Sequence, residues 1–151
     1  MANTQAMTTS FKGELLTATH NFGTAPIRAA TTADTFKAAL YLASATVNAT
    51  TTAYSSTGEV TGTNYTAGGV TVTNATAPTT GGTTAYWTPS ASIVYTNVTL
   101  STAFDAVLIY NSTQSNKAVS VHTFGSQTVT AGTFTLTMPT NDATNGLIRI
   151  A

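Results

Sequence analysis

The sequence contains no cysteine. That single absence removes disulfides, thiolate nucleophiles and Cys-based zinc sites together. Charge is nearly as scarce: five basic and five acidic residues make up 7% of the chain, where an ordinary soluble domain has about a quarter. The basic residues Lys12, Arg28, Lys37, Lys117 and Arg149 stand singly, whereas a nucleic-acid surface needs clustered cations to displace phosphate counterions. Binding to DNA or RNA is therefore not expected. No run of the sequence approaches the roughly 20 apolar residues that span a bilayer, so no membrane partner is expected. The opening residues, MANTQAMTTS, lack a basic stretch followed by an apolar one. They do not read as a secretory signal, and synthesis in a cytoplasm is the expectation.

The sequence is rich instead in threonine, which makes up roughly a quarter of its residues. Together with Val, Ile, Tyr and Phe it suits the half-buried surface of a pleated sheet. The 151 residues are enough for one domain with a core that needs neither disulfide nor metal. The expected organisation is a flexible arm over residues 1–10 and one domain over residues 11–151.

One segment departs from the β pattern. Phe11, Leu15, Ala18 and Phe22 recur at helical spacing, Ser10 stands where an N-cap belongs, and Gly23 follows at the C-terminal cap position. A short amphipathic helix is predicted over residues 11–22. In DTFKAALYLASA, Phe36, Ala38, Leu40 and Leu42 alternate, although Phe36, Ala39, Leu40 and Ala43 also fit a helical face; the turn-rich continuation favours a strand.

Further strands are predicted at intervals of roughly 8–12 residues, the spacing of a sandwich or barrel. They are AYSSTGEV, GGVTVTN, TTAYWT, SIVYTNVTL, AFDAVLIY, AVSVHTFG, GTFTLTMP and GLIRIA. Residues 73–84, TNATAPTTGGTT, read as a mobile surface loop. The predicted fold is an all-β, antiparallel, jelly-roll-like β-sandwich with one short N-terminal helix, and a more open barrel is its alternative.

Residues capable of chemistry are few. His20 and His122 are the histidines; either could pair with Asp105 or Glu59, but no nucleophile motif accompanies them, and a structural role is the stronger reading. Asp34, Glu59, Asp105 and Asp142 could include a glycosidase pair, since that reaction needs two carboxylates about 5–10 Å apart. Asp34 also suits a turn or strand start, and Asp142 in PTNDATNG suits a turn. Calcium could be held by Asp142 and Asn141, but the D-x-D-x-D-G spacing of a dedicated loop is missing.

The block TGEVTGTNYTAGG lacks both phosphate-loop patterns, so its glycines read as turn residues. The N-x-[ST] matches at Asn48, Asn64, Asn74, Asn97 and Asn111 are expected to stay unmodified. Trp87 with Tyr41, Tyr54, Tyr65, Tyr86, Tyr95 and Tyr110 could form a sugar-stacking platform, or could fill a sandwich core or subunit interface, the more common use. No catalytic, cofactor-binding or metal-ligating residues are assigned, and no cofactor is expected.

The strings AYSSTGEVTGTNYTAGG, AYWTPSASIVYTNVTL, FDAVLIYNSTQSNKAVSVHTFGSQTVTAGTFTLTMP and the terminal GLIRIA carry a resemblance, most tellingly in the block Tyr54 to Gly69, Y-x-x-T-G-E-V-x-G-T-x-Y-T-A-G-G, and the segment Val121 to Val129, V-x-T-F-G-S-Q-T-V. From about Phe11 to the C-terminus the chain resembles small virion structural proteins of tailed bacteriophages. The resemblance implies a β-sandwich incorporated in many copies, as a decoration or cement protein on the capsid. It implies no catalytic residues and leaves head, neck and tail open. The expected partners are the major capsid protein or other virion subunits, with homo-oligomers, dimers or trimers, suited to the task. A tail or fibre component, a carbohydrate-binding module built on Trp87, and a small glycosidase using Glu59 and Asp105 are the rival expectations.

Overall fold

In the computed structural model the described residues are 3–8, 10, 11, 15, 19, 20, 22, 33–73 and 77–150. Eight strands are found among them: β1 (Ala6–Met7), β2 (Phe36–Leu42), β3 (Val70–Thr71), β4 (Thr79–Gly81), β5 (Thr84–Trp87), β6 (Ile93–Asn111), β7 (Lys117–Leu136) and β8 (Ile148–Ile150). They form two antiparallel sheets, β1-β7-β6-β2-β3 and β4-β5-β8. The chain is all-β and consistent with the expected sandwich. The helix predicted over residues 11–22 falls on a segment of which few positions are described, and as an element it lies outside the described residues.

The dominant unit is the β6–β7 hairpin. It is sharply bent: the Tyr95 hydroxyl donates to the Ala38 carbonyl at 2.8 Å, and Ala38 pairs with Ile109 at the far end of the same strand. A straight strand would hold Tyr95 and Ile109 roughly 45 Å apart. The Phe124 and Phe134 rings, ten positions apart on β7, have centroids 5.3 Å from each other. The bend lies where the register breaks. From Leu100↔Val129 to Phe104↔Gln127, four steps along β6 match two along β7, and Asn97 and Ala131 adopt φ of 53° and 45°. Extra residues on one strand of a pair bend and twist it.

The folded-back half of the hairpin thus lies over its own beginning, and the main core fills the space between. Ile93, Tyr95, Val98 and Leu100 come from one half, and Phe104, Val107, Ile109 and Val119 from the other, joined by Phe36, Ala38 and Leu40 of β2. Trp87 and Ile148 bring the small sheet to the same core. The opposite face of the main sheet, with Ala39, Tyr41, Ala106, Leu108, Tyr110, Ala118 and Val121, is covered by Val47, Ala45 and Tyr54. A strand buried on both faces reads as a continuous apolar run. That is why the FKAALYL pattern fits two periods at once: Ala38, Ala39, Leu40 and Tyr41 are all buried.

Three sequence expectations are corrected. AYSSTGEV is no strand but a compact loop, touching the sheets through isolated bridges at Ala53↔Lys117 and Tyr41↔Glu59. SIVYTNVTL and AFDAVLIY are one strand, β6, and AVSVHTFG and GTFTLTMP are one strand, β7. Of the segment read as a mobile loop, residues 79–81 and 84 belong to the β4–β5 hairpin, whose turn is set by Gly82 at φ 59°, while residues 74–76 lie outside the described residues.

Residues 3–8, within the segment expected to be a flexible arm, run along the main sheet. Asn3 Nδ2 donates to the Leu42 carbonyl at 3.1 Å and to the Asp105 carboxylate, and Thr4 N–H donates to the Val47 carbonyl at 3.1 Å. Thr8, fully buried, donates its hydroxyl to the Ala118 carbonyl at 3.2 Å.

Candidate functional site

The densest polar cluster surrounds Glu59, in a chain with five acidic residues. Its side chain is 6% exposed, which a carboxylate tolerates when its lone pairs are taken up. Oε2 accepts from the Tyr54 hydroxyl at 2.7 Å, and Oε1 accepts from the Tyr65 hydroxyl at 2.7 Å and from Gly68 N–H at 2.8 Å. Hydrogen bonds to a charged acceptor are the stronger kind. Three more tyrosines complete the assembly: the Tyr41 hydroxyl donates to the Ser55 carbonyl, Tyr110 to the Gly68 carbonyl at 2.8 Å, and Tyr95 to the Ala38 carbonyl. Tyr54 stacks on Tyr110 at 4.8 Å, and Tyr65 on Tyr95 at 5.9 Å.

The cluster has a backbone purpose. The stretch of β2's outer edge beyond β3 is satisfied by this block: Leu42 N–H donates to the Gly58 carbonyl, Val60 N–H to the Leu40 carbonyl, and Leu40 N–H to the Tyr65 hydroxyl, at 2.9, 3.0 and 3.0 Å. Close approach demands glycine at position 69. Its φ is +70°, and a Cβ there would lie 1.7 Å from the Ala38 carbonyl oxygen. Residues 54–69 therefore act as an irregular substitute strand, pinned from inside by a carboxylate.

Burial pushes the Tyr41 hydroxyl up to about 12. Burial, followed by the nearby Glu59 charge, does the same for Tyr110. Tyr54 and Tyr65 are raised further, by burial and then by their bonds to the Glu59 carboxylate, and Tyr95 is raised chiefly by burial. A phenol that donates to a carboxylate cannot ionise without setting two anions together. These tyrosines are held neutral, as donors.

The other acids and histidines are dispersed. Asp34, immediately before β2, accepts from Asn111 Nδ2 at 2.8 Å, and Asn111 Nδ2 also meets His20 Nδ1 at 3.0 Å. Asn111 Oδ1 in turn accepts from the N–H groups of Thr113 and Gln114, each at 3.1 Å, capping the β6–β7 turn. His122 is half-buried beside Ser120, with Nε2 2.9 Å from the Ser120 hydroxyl, and burial lowers its pKa to about 4. Neither histidine is bonded to Glu59 or Asp105, the partners weighed from the sequence. Glu59 and Asp105 take separate partners, Asp105 accepting from Asn3.

Asp142 is a turn former: Oδ1 accepts from Thr144 N–H at 2.8 Å and Asn145 N–H at 2.7 Å. The Asn145 side-chain amide, then these backbone donors, hold its carboxyl below the usual range. Among the described residues no three of His, Asp and Glu gather where one metal ion could be held. Trp87 is 2% exposed and packs against Phe22 and Phe36 at 4.8 and 5.9 Å, so its indole belongs to the core and offers no open face to a sugar. Of the asparagines in N-x-[ST] matches, Asn48 accepts from Thr50 N–H, and Asn64 donates to the Asn97 carbonyl. Asn111 is buried.

The sequence points to Glu59 as a candidate acid but not to its role as a hub. The available signal is a lone carboxylate bracketed by Tyr54, Tyr65 and the Gly68–Gly69 pair in a nearly uncharged chain. No family model, curated protein or solved structure matches this chain.

Proposed function

We propose that this chain is a non-enzymatic structural component of a tailed-bacteriophage particle, a capsid decoration or cement protein that bridges neighbouring copies of the major capsid protein. The observation that carries the reading is the fate of the Tyr54–Gly69 block, one of the two most telling parts of the resemblance. Its one carboxylate takes three fixed donors and is spent on shape. A protein that reinforces a lattice needs rigid form, exposed hydrogen-bonding groups, and little charge to repel its neighbours. Ten charged residues in 151, standing singly, suit that demand. Strength on the particle would come from many weak contacts made at once.

Immunogold electron microscopy of purified particles, with antibody raised against the chain, tests this. Regular gold on the heads is the expected result. Gold confined to tails would replace decoration by a tail or fibre role. Absence of label, with label on disrupted particles also absent, would overturn the virion reading.

A further inference from the structure

The outer edge of β7 changes character at Val121. Up to that point it is covered: Ala118 N–H donates to the Thr52 carbonyl, Tyr54 N–H to the Asn116 carbonyl, and β1 pairs with Ser120 and Val121. From residue 123 to Leu136 the strand partner among the described residues is β6 alone. The further hydrogen bonds of this stretch, Ala131 N–H to the Thr99 hydroxyl and the Gln127 amide to the Gly125 carbonyl, stay on β6 or within it. Gly125, Ser126, Gln127, Thr128, Thr130, Ala131, Thr133 and Thr135 are exposed.

Natural sheets guard such an edge with lysines, inward charges, prolines, bulges or a covering loop. Here no Asp, Glu, Lys or Arg occurs between Lys117 and Asp142, and the first proline after Lys117 is Pro139. The bulge at Ala131 bends the edge without adding a charge. We propose that this bare edge of β7, residues 123–136, pairs antiparallel with the same edge of a second copy of the chain, joining two main sheets across a twofold axis.

The occupant follows from the chemistry of the edge. A row of free backbone donors and acceptors is matched by another strand, and β1 shows that this edge accepts an antiparallel one immediately upstream. A twofold axis lays the stretch against itself, so that threonine meets threonine, a favourable cross-strand pairing. A charged foreign strand would find no complement here, whereas a second copy brings no like charge to the contact and has no net charge to oppose its approach. The inference goes beyond the virion reading and stands or falls in the purified chain, with no particle present.

The test is sedimentation equilibrium of the full chain from low micromolar to submillimolar concentration, alongside the double variant Thr130→Lys/Thr133→Lys. The wild type is expected to dimerise. The variant, which sets like charges face to face, is expected to raise the dissociation constant by at least about tenfold while melting at the wild-type temperature when dilute. Mixing it with Thr130→Glu/Thr133→Glu should restore a dimer. A wild type that stays monomeric throughout, or a dimer that the double variant leaves intact, would overturn the proposal. If the variants fail to fold, amide exchange of the wild type decides: protection of residues 125–136 that rises with concentration supports the edge pairing, and protection independent of concentration refutes it.

Discussion

The main sheet has two sides that the chain finishes in opposite ways. Beyond β2, an irregular block wraps the edge, and a buried carboxylate with its tyrosines holds that block in register. Beyond Val121 on β7, nothing among the described residues covers the strand, and its sequence carries no charge. Both regions are rich in Thr and Gly, so composition does not separate them. What separates them is one carboxyl group placed inside, whose lone pairs take fixed donors and so fix the backbone around it. The first edge is specified to a single arrangement, and the second is left able to take a partner.

Glycine substitutions sharpen that contrast most. Gly69→Ala drives a methyl group into the Ala38 carbonyl at a positive φ. It should cost upward of about 4 kcal/mol, in the range where a domain of this size fails to accumulate folded. Gly125→Ala, on the open strand, meets nothing within 4 Å and should stay within about 0.5 kcal/mol. Denaturant melts of the two proteins compare them directly; equal losses would remove the distinction between the edges.

Next in size is the carboxylate. Glu59→Ala strands two hydroxyls and the Gly68 N–H, with an expected loss of about 3 kcal/mol and a fall in Tm of roughly 10 °C for a chain of this length. Glu59→Gln keeps the shape but weakens the acceptor, and about half that loss is expected. A glycosidase would lose turnover in either variant, so stability lost without any activity to lose separates the two readings of this residue.

Alkaline pH should attack the same region. The five tyrosines have folded-state pKa values above the ordinary 10, near 12 for Tyr41 and Tyr110. The unfolded chain therefore ionises first, and the stability these groups contribute is intact below pH 10 and lost as pH rises through about 12. Ultraviolet titration of tyrosinate should coincide with loss of the β circular dichroism signal. Early, non-cooperative ionisation of Tyr41, Tyr54, Tyr65, Tyr95 and Tyr110 would contradict the buried hub.

The smallest effect lies on the acid side. His122 has a folded pKa near 4 against an ordinary 6.5, so the unfolded chain takes up the proton first. Its contribution is complete above pH 6.5 and is lost as pH falls toward 4. His122→Gln should flatten stability across that window.

Much of the fold is legible from residue pattern, and the misses share a cause. The apolar residues of GLIRIA and TTAYWT find β8 and β5 because Ile148 and Trp87 reach the core from them. The bend in β6 and β7 hides in plain residues: Ser101, Thr102 and Ala103 resemble a loop, and nothing local states that the ladder continues through a bulge. AYSSTGEV alternates like a strand, yet it meets the sheet only through isolated bridges and single backbone bonds to β2 and the start of β7. The donors to Glu59, Tyr54, Tyr65 and Gly68, lie five to nine positions away on either side, beyond the span of any turn pattern, so the sequence shows its residue type and not its role. Asp142, whose donors are its own neighbours Thr144 and Asn145, is legible as a turn for the opposite reason.

Amide hydrogen exchange of the wild-type protein at two concentrations tests the contrast between the edges most directly. The account predicts that Leu40, Leu42, Val60 and Gly68 exchange only through global unfolding at either concentration, while the outward amides of residues 125–136 exchange fast when dilute and slow when concentrated. Rapid exchange at Val60 and Gly68 in the folded protein, or an edge that is already protected when dilute, would contradict it.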